Sequence, residues 1–320
     1  MRLAATPEDF VVDEIPLYPP SGEGGHTFVR VEKRLRTTEE VARALARLAG
    51  VRARDVGYAG RKDRVAVARQ WLSVPGLDPR QALAAEIPGV RVLEALPHGH
   101  KLRTGQLREN RFELVVRDLS GTQVAQAELR MQGLVARGMP NRFGPQRFGR
   151  DGDNALRGRR LLAGEVPGRD RRAARFWLSA LQAEVFNCWL EERQESLDTV
   201  VEGEVAWIHA SGACFVVEDA AADAPRAARF EISAAGPIVG TRTLPAIGAA
   251  LEREQALLRR CGIPQPLTPP RGIRLRGARR PARVQPQEVS ASPEAAGAVR
   301  LHFSLPPGSY ATVLVDALFG

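Results

Sequence analysis

Strand patterns and helix patterns follow one another irregularly along this chain, and that irregularity limits the possible folds more than any single segment does. Runs of β-branched and aromatic residues predict strands at 10–15, 26–31, 111–117 and 299–305. The tetrapeptide Thr37-Thr38-Glu39-Glu40 is a capping box, which predicts the start of a helix. Apolar residues at helical spacing predict further helices after residue 122, over about 171–192, over 249–260 and over 310–318. Because strands and helices do not alternate strictly, we predict an α+β fold rather than a series of βαβ units.

A stretch rich in proline and glycine over residues 262–270 marks a candidate domain boundary. Short strand-like pieces precede it over residues 200–247, and a clear strand pattern returns after it. The sequence therefore favours one domain interrupted by an insertion, whose chain returns near residue 271.

The chain carries an excess of positive charge, with 46 basic and 37 acidic residues among 320. Ten arginines against four acids lie between Arg142 and Arg175, and residues 271–283 hold six arginines and no acid. Such an excess favours a polyanionic partner, most simply nucleic acid, whose phosphate backbone the two tracts would follow. A solvated surface is the simpler interpretation of either tract alone. The two tracts together, at both ends of the suspected insertion, favour RNA binding.

Several classes of protein find no support in the sequence. The three cysteines form no C-x-x-C pair, which fits a reducing compartment. The N-terminus lacks the apolar stretch of a signal peptide, and no run is long enough to span a membrane. No Walker A motif, dinucleotide-binding fingerprint or metal-ligand cluster is present. We therefore predict a cytoplasmic protein that needs no metal and no cofactor and has no membrane partner.

The segment 57–74 contains the strongest candidate for chemistry. Asp63 lies there among three cations, Arg61, Lys62 and Arg64. Cations around a carboxylate favour its charged form, and they would hold an anionic substrate against it. An ionised aspartate in a basic pocket is suited to attack, or to stabilise, a sugar carbon that loses its leaving group. On spacing alone, a surface charge cluster on a turn is the commoner arrangement.

A second candidate is the loop over residues 138–149, which is bounded by glycines and contains Asn141, Phe143, Gln146 and Arg147. An aromatic ring in such a loop can stack on an extruded base, and an amide can bond the Watson–Crick edge of that base. A structural turn with buried phenylalanines fits the same residues equally well.

Four segments, in order along the chain, resemble motifs of the tRNA pseudouridine synthase D family. They are Pro7-Glu8-Asp9-Phe10-Val11-Val12-Asp13-Glu14, Ala59-Gly60-Arg61-Lys62-Asp63, the stretch from Asn141 to Gly149 and the stretch from Leu305 to Thr312. Four motifs in the family's order are far more specific than any one of them. The chain departs from the family at Ala4, where members often carry a lysine, and this leaves the electrostatic partner of Asp63 open.

The resemblance implies a pseudouridine synthase catalytic domain over residues 1–154 and 271–320, built on a mixed, mostly antiparallel sheet flanked by helices. It implies a smaller inserted α/β domain over residues 155–270, with RNA bound in the cleft between the two parts. The implied activity is isomerisation of uridine to pseudouridine in tRNA, at position 13, without a cofactor. The implied partner is therefore tRNA.

The resemblance also implies roles for individual residues. Asp63 falls on the catalytic aspartate, and Lys62 or a neighbouring arginine would keep it charged. Phe143 would stack on the target uracil, and Asn141 would orient the catalytic aspartate or the nucleotide. Glu8 falls on an acidic position of the active-site neighbourhood. The remaining predicted site residues, all assigned to RNA binding, are Arg61, Arg64, Gln70, Arg142, Gln146 and Arg147.

Two other classes of function stay open on the sequence. A non-catalytic RNA- or ribosome-binding protein would use Asp63 only to support a basic loop, and it would bind RNA without forming product. A nuclease would need clustered carboxylates for a metal ion. Asp151 and Asp153 are the only close acidic pair in the basic tracts, and a glycine-rich turn explains them. Sensitivity to a chelator would separate a nuclease from the other classes.

Overall fold

The computed structural model describes residues 1–3, 6–149, 151–168, 170–193 and 196–320. Its strands are β1 (Arg2–Leu3), β2 (Phe10–Pro16), β3 (His26–Arg34), β4 (Gly57–Tyr58), β5 (Val67–Pro75), β6 (Val90–His98), β7 (Leu107–Arg117), β8 (Met139–Pro140), β9 (Val205–Ile208), β10 (Cys214–Val216), β11 (Ile232–Ile238), β12 (Ala278–Pro281), β13 (Arg283–Val284), β14 (Gln287–Ala295) and β15 (Ala298–Leu305). Its helices are α1 (Thr38–Leu48), α2 (Pro79–Leu83), α3 (Gly121–Arg137), α4 (Asn154–Leu162), α5 (Arg171–Glu191), α6 (Ala220–Ala228), α7 (Gly248–Arg260) and α8 (Ala311–Phe319).

The chain divides into two compact units. Unit 1 holds residues 1–135, 286–311 and 318–320, and unit 2 holds residues 136–285 and 312–317. The domain limits given by the resemblance, 1–154 with 271–320 and 155–270, remain a prediction.

Unit 1 is built on one mixed sheet of nine strands in the described part of the chain. The strand order is β14-β15-β7-β2-β5-β3-β6, while β1 pairs with β7 and β4 pairs with β5. Strands β2 and β5 run parallel, and the other pairs of this sheet are antiparallel. The predicted α+β class, with a mixed and mostly antiparallel sheet, is confirmed.

Helix α1 begins where its capping box predicts. The Oγ1 of Thr37 accepts the Glu40 N–H at 3.2 Å, and the Glu40 carboxylate accepts the Thr37 N–H at 2.7 Å. These two bonds satisfy N–H groups that have no partner inside the helix. The helix buries Val41 and Leu45 against apolar residues of β3 and β5. The capped N-terminus and the burial of this apolar face together fix α1 beside the segment that contains Asp63.

The strand register places that segment at one end of the central strands β2, β5 and β3. Val67, the first residue of β5, pairs with Val11 near the start of β2 and with Arg34 at the end of β3. The loop before β5 therefore emerges where β2 begins and β3 ends. Gly57 in β4 lets the chain before this loop pack closely against Leu102, because a Cβ at Gly57 would lie 2.2 Å from the Leu102 carbonyl oxygen.

Unit 2 combines a four-stranded antiparallel sheet with helices. Its strand order is β10-β9-β11-β12, and β8 and β13 form a separate antiparallel pair. The long helix α5 buries Val185, Phe186 and Trp189 in a core that also contains Ile232 of β11 and Leu257 of α7. The predicted helices over 171–192 and 249–260 are confirmed as α5 and α7.

Two local predictions need correction. The sequence predicts only strand-like pieces over residues 200–247, whereas α6 lies there, with the Asp219 carboxylate accepting the N–H groups of Ala221 and Ala222. His98, predicted to lie in a loop, is the buried last residue of β6 and stacks on Tyr18. None of the helices in the described ranges combines the length and the apolar character needed to cross a bilayer.

Candidate active site

Asp63 lies between β4 and β5 in the loop of residues 59–66, called here the Asp63 loop. Its side chain is exposed, and in the described part of the chain its carboxylate accepts no hydrogen bond and pairs with no cation. Its backbone carbonyl, by contrast, accepts a hydrogen bond from Nζ of Lys33 at 2.5 Å. The fold thus fixes the main chain of Asp63 and leaves its carboxylate open to a substrate.

Lys62 turns its side chain into unit 1. Its Nζ lies 2.6 Å from Oε2 of Glu14 and donates to Oδ1 of Asn110 at 2.7 Å. Glu14 and Asn110 are register partners on β2 and β7, so a single ammonium group joins both strands to the loop. The Lys62 and Glu14 side chains are only 6% and 1% exposed. The charge of Lys62 is therefore used inside the fold, where removing either partner would leave a buried charge uncompensated.

Arg61 and Arg64, the arginines on either side of Lys62 and Asp63 in the sequence, contact the region around α1. Nε of Arg61 lies 2.6 Å from Oε1 of Glu39, and Nε of Arg64 donates to the Leu35 carbonyl at 3.2 Å. Both arginines are exposed. Exposed contacts of this kind are weak, so these guanidinium groups can exchange them for phosphate.

The structure contradicts the predicted RNA contact by Gln70. Gln70 is fully buried on β5, and its Oε1 accepts the Thr38 hydroxyl hydrogen at 2.9 Å. The Thr38 oxygen in turn accepts the Lys62 N–H at 3.0 Å. Gln70 therefore supports the Asp63 loop from inside through Thr38.

Lys33 and Glu8 lie near the same loop. Lys33 is fully buried on β3. Burial lowers the pKa of Lys33 to about 8, and the nearby Asp63 carboxylate opposes that shift. Oε1 of Glu8 pairs at 2.5 Å with the guanidinium of Arg34, the residue after Lys33, and both side chains are more than half exposed. Ala4, where the resemblance places a departure, lies outside the described residues.

Phe143, in the loop of unit 2, is half-buried between aromatic and cationic groups. Its ring meets the Phe186 ring edge-on at 5.7 Å, and the Arg280 guanidinium lies 4.1 Å from its centroid. Asn187 brackets its backbone, accepting the Phe143 N–H at 2.8 Å and donating to the Phe143 carbonyl at 3.0 Å. This arrangement holds the ring in a defined position at the border of the unit 2 core.

The other predicted loop residues differ in their exposure. Asn141 is buried, where its amide donates to the Pro281 carbonyl at 3.1 Å and accepts from Arg280 at 2.5 Å. Arg142 reaches Glu191 at 3.4 Å. Gln146 is exposed, and Arg147 donates to the Ser179 hydroxyl. The loop thus offers surface mainly at Arg142 and Gln146.

The structure separates the two arginine tracts into paired and unpaired side chains. Several arginines serve the fold of unit 2, among them Arg159 with Glu184 at 2.5 Å and the buried Arg279 with Glu254 at 2.5 Å. Six exposed arginines have no carboxylate partner in the ranges described: Arg171, Arg172, Arg175, Arg271, Arg274 and Arg276. Arg150 and Arg169 of the first tract fall outside the described residues.

The six unpaired arginines come together through apolar packing. Ile273 and Leu275 share a buried cluster with Ala174 and Leu178 of α5. Alternation along residues 271–276 then exposes Arg274 and Arg276, and helical spacing exposes Arg171, Arg172 and Arg175 in the first two turns of α5. We call this group of six the arginine surface.

Sequence reasoning missed Lys33, Asn110 and Arg280 and gave no role to Glu14. Glu14 lies in the first motif segment, but only the β2–β7 register shows that Asn110 faces it. A sequence signal for Lys33 existed, since the chain has lysine only at positions 33, 62 and 101. The site residues form two groups, one within unit 1 and one within unit 2. In the described residues, no three His, Cys, Asp or Glu side chains group closely enough to hold a metal ion.

Comparison with known proteins identifies the family. The family model for tRNA pseudouridine synthase D matches residues 1–168 and 170–317. A tRNA pseudouridine synthase D of an Anaeromyxobacter species is 48% identical over 326 residues, covering 99% of this chain and 91% of the relative. The tRNA pseudouridine synthase D of Geobacter metallireducens is 40% identical over 374 residues, covering 97% and 92%.

A solved structure shares the fold. The crystal structure of a putative tRNA pseudouridine synthase D from Methanosarcina mazei superposes with a TM-score of 0.76, covering 99% of this chain and 93% of that chain, at 20% identity. The architecture is therefore that of a pseudouridine synthase. The chain belongs to the tRNA pseudouridine synthase D family.

Proposed function

We propose that this protein isomerises uridine at position 13 of tRNA to pseudouridine, with Asp63 acting on the ribose of the target nucleotide. Family membership makes the chain a tRNA pseudouridine synthase, an isomerase. One observation supports Asp63 in particular: its backbone is anchored by a buried lysine while its carboxylate is exposed and unpaired among the described residues. A carboxylate whose backbone is held in place and whose oxygens are unpaired is suited to react at a bound sugar.

The reaction breaks the N1–C1′ bond of uridine, turns the uracil and joins C5 to C1′. Asp63 acts either as a nucleophile at C1′ or as a base that removes a ribose proton. In both routes the hydrogen at C5 leaves as a proton when the new bond has formed, N1 takes up a proton, and any proton removed from the ribose is returned, so the product is an isomer of uridine. No electrons are gained or lost overall, so we propose that the reaction needs no cofactor.

Tritium at C5 of uridine gives a direct assay of this proposal. A tRNA labelled at C5 should release tritium to water when the purified protein is added, and the product should map to position 13. Total tRNA from cells that lack the protein supplies every candidate substrate. Absence of release from that pool would overturn the proposed activity, and release from another position would overturn only the assignment to position 13.

The alternative function, a non-catalytic RNA- or ribosome-binding protein, loses its support because the family model and the curated relatives name an enzyme. We retain as proposals the supporting roles of Lys62, Asn141 and Glu8, the RNA contacts of the exposed basic residues, and the domain limits at 154/155 and 270/271. A cytoplasmic location is also proposed, since three free cysteines suit a reducing compartment.

Replacing Phe143 with alanine is expected to lower turnover on folded tRNA. The target base must leave its stack before C1′ can be reached, and an aromatic ring that holds the extruded base contributes about 1–3 kcal/mol. We therefore expect a loss of roughly 10–100-fold in the single-turnover rate. The rate of tritium release with enzyme in excess measures this effect.

Phe215 provides the matched control, because it also borders the unit 2 core and also lies under a guanidinium, that of Arg226 at 5.3 Å. Phe215→Ala should lose a similar amount of stability in a thermal melt while turnover stays native. Equal turnover of the two alanine variants would assign Phe143 to core packing alone.

RNA affinity is expected to fall steeply with salt, in part through the arginine surface. Each guanidinium that binds a phosphate releases counterions, so its loss lowers the slope of log K against log salt by about 1. Arg274→Ser combined with Arg276→Ser should therefore reduce that slope by about 2. Filter binding of tRNA over a series of salt concentrations measures the slope.

Arg229 supplies the control for that titration, since it is exposed in unit 2 but pairs with Glu231 at 2.6 Å. Arg229→Ser should leave the slope unchanged. A native slope in the double variant would show that RNA does not contact this part of the arginine surface.

A further inference from the structure

Lys33 is an unusual residue in unit 1, because it is a lysine with no exposed surface. It occupies the second-to-last position of β3 and pairs there with Ala68 of β5. Its Nζ donates to the backbone carbonyl of Asp63 at 2.5 Å. Lysines are almost never fully buried without a strong reason, since the ammonium loses its hydration. A single hydrogen bond to a carbonyl does not offset the free energy of burying an ammonium. We therefore expect a second role for this charge.

The charges around Lys33 show where its field acts. Asp63, Glu39 and Glu40 favour the charged form of Lys33, whereas Lys62 opposes it, and Asp63 has the largest effect of the four. Glu39 pairs with Arg61 and Glu40 caps α1, while Lys62 pairs with Glu14. The Asp63 carboxylate has no partner of its own among the described residues. The positive charge of Lys33 is thus left mainly for Asp63.

We infer that Lys33 is the positioning residue of Asp63: its ammonium fixes the Asp63 carbonyl and places a buried positive charge next to the carboxylate that acts on the ribose. The side chain never needs to meet RNA, because it acts through the main chain and the field of the loop. This inference rests on the proposed role of Asp63. The neighbouring Lys62 cannot supply this charge, because its ammonium is paired with Glu14.

We expect turnover and the contribution of Lys33 to folding stability to change in opposite directions as the pH rises above about 8. Because burial lowers the pKa of Lys33 to about 8, the ammonium is lost as the pH rises through that value, and turnover should fall with it. Stability should change in the opposite sense. Between about pH 8 and the ordinary pKa of 10.5, the unfolded chain binds the proton that the folded chain has released, so the contribution of Lys33 to folding stability increases. A loss of turnover above pH 8 therefore does not reflect unfolding caused by this group.

Lys33→Met is the central variant, because methionine has a similar length but removes both the buried charge and the hydrogen bond to the Asp63 carbonyl. The single-turnover rate of tritium release is measured from pH 6 to 9.5 with enzyme in excess, together with the Kd for tRNA. We expect a rate loss of about 10²-fold, as for a small displacement of a catalytic group, with an unchanged Kd and no remaining alkaline fall near pH 8. A native rate, or an alkaline fall that persists in Lys33→Met, would overturn the inference.

Lys101→Met is the matched control. Lys101 also lies in unit 1 and also holds a backbone carbonyl, that of Arg54, at 2.6 Å. Its replacement should leave the rate, the Kd and the pH profile native. A similar rate loss in both variants would mean that any missing lysine–carbonyl bond disturbs the unit, and the assigned role of Lys33 would fall.

A measurement on the native protein keeps the test decisive if Lys33→Met does not fold. With lysine at only three positions, the ammonium resonances of labelled lysine can be followed by NMR. One resonance should titrate near pH 8 and should shift to lower pH in Asp63→Asn, since the carboxylate that raises the pKa of Lys33 is then absent. No such resonance, or one that ignores Asp63→Asn, overturns the inference. Failure of the proposed function is distinct, because the native protein would then release no tritium at any pH.

Discussion

Asp63→Asn is expected to abolish isomerisation while leaving the fold and the RNA affinity intact. Asparagine can neither attack C1′ nor remove a proton, so the single-turnover rate should fall by about 10³-fold or more. Stability should fall by at most about 1 kcal/mol, because the exposed carboxylate accepts no hydrogen bond among the described residues and favours the Lys33 ammonium only through its charge. Tritium release, urea unfolding and tRNA binding measure the three quantities separately.

Asp118→Asn is the control for that experiment. Asp118 is an exposed aspartate of unit 1 that lies just after β7 and outside the Asp63 loop, with its carboxylate 3.3 Å from Arg2. Its backbone has a φ of 58°, which asparagine tolerates well. All three quantities should be native in this variant. Turnover by Asp63→Asn at a rate comparable to native would remove Asp63 from the chemistry.

The elements of the fold that sequence predicts correctly are those with local causes. The capping box before α1 and the apolar stripe of α5 each act within a few residues, so a pattern suffices. Helix α6 escapes prediction because its alanine-rich sequence has no apolar stripe and contains Pro225, while its start depends on the carboxylate of Asp219. Strand β14 escapes for a related reason: it is an edge strand with mostly polar, exposed residues, and it forms because β15 pairs with it.

The candidate site divides in the same way. Asp63 is found in the sequence because its cations are adjacent in the chain. The groups that hold it are not adjacent: Lys33 is 30 residues away and Glu14 is 48 residues from Lys62 and 57 from Trp71, whose N–H it accepts at 3.2 Å. Their meeting depends on strand register, which no single-sequence pattern supplies. Gln70 is mistaken for an RNA contact for the same reason, since only the register shows that it faces the interior.

Lys62→Met is expected to destabilise the protein more than any other change at the Asp63 loop. It leaves the Glu14 carboxylate, 1% exposed, without the ammonium that lies 2.6 Å away, and it removes the donor to Asn110. Breaking a buried pair by removing one partner costs about 3–5 kcal/mol, because the remaining charge is uncompensated. Urea unfolding measures the change. Arg61→Met is the control from the same loop, since its exposed pair with Glu39 should contribute at most about 1 kcal/mol.

The double variant Lys62→Met with Glu14→Gln separates charge from packing. Glutamine is neutral but keeps an oxygen for the Trp71 N–H, so the double variant should recover most of the stability lost in Lys62→Met. Turnover should not recover with it, because the Asp63 loop has still lost its link to β2 and β7, and a small displacement of Asp63 lowers the rate strongly. If stability and turnover recover together, the pair acts only through the global fold. If Lys62→Met itself unfolds like native, the buried pair does not hold the loop.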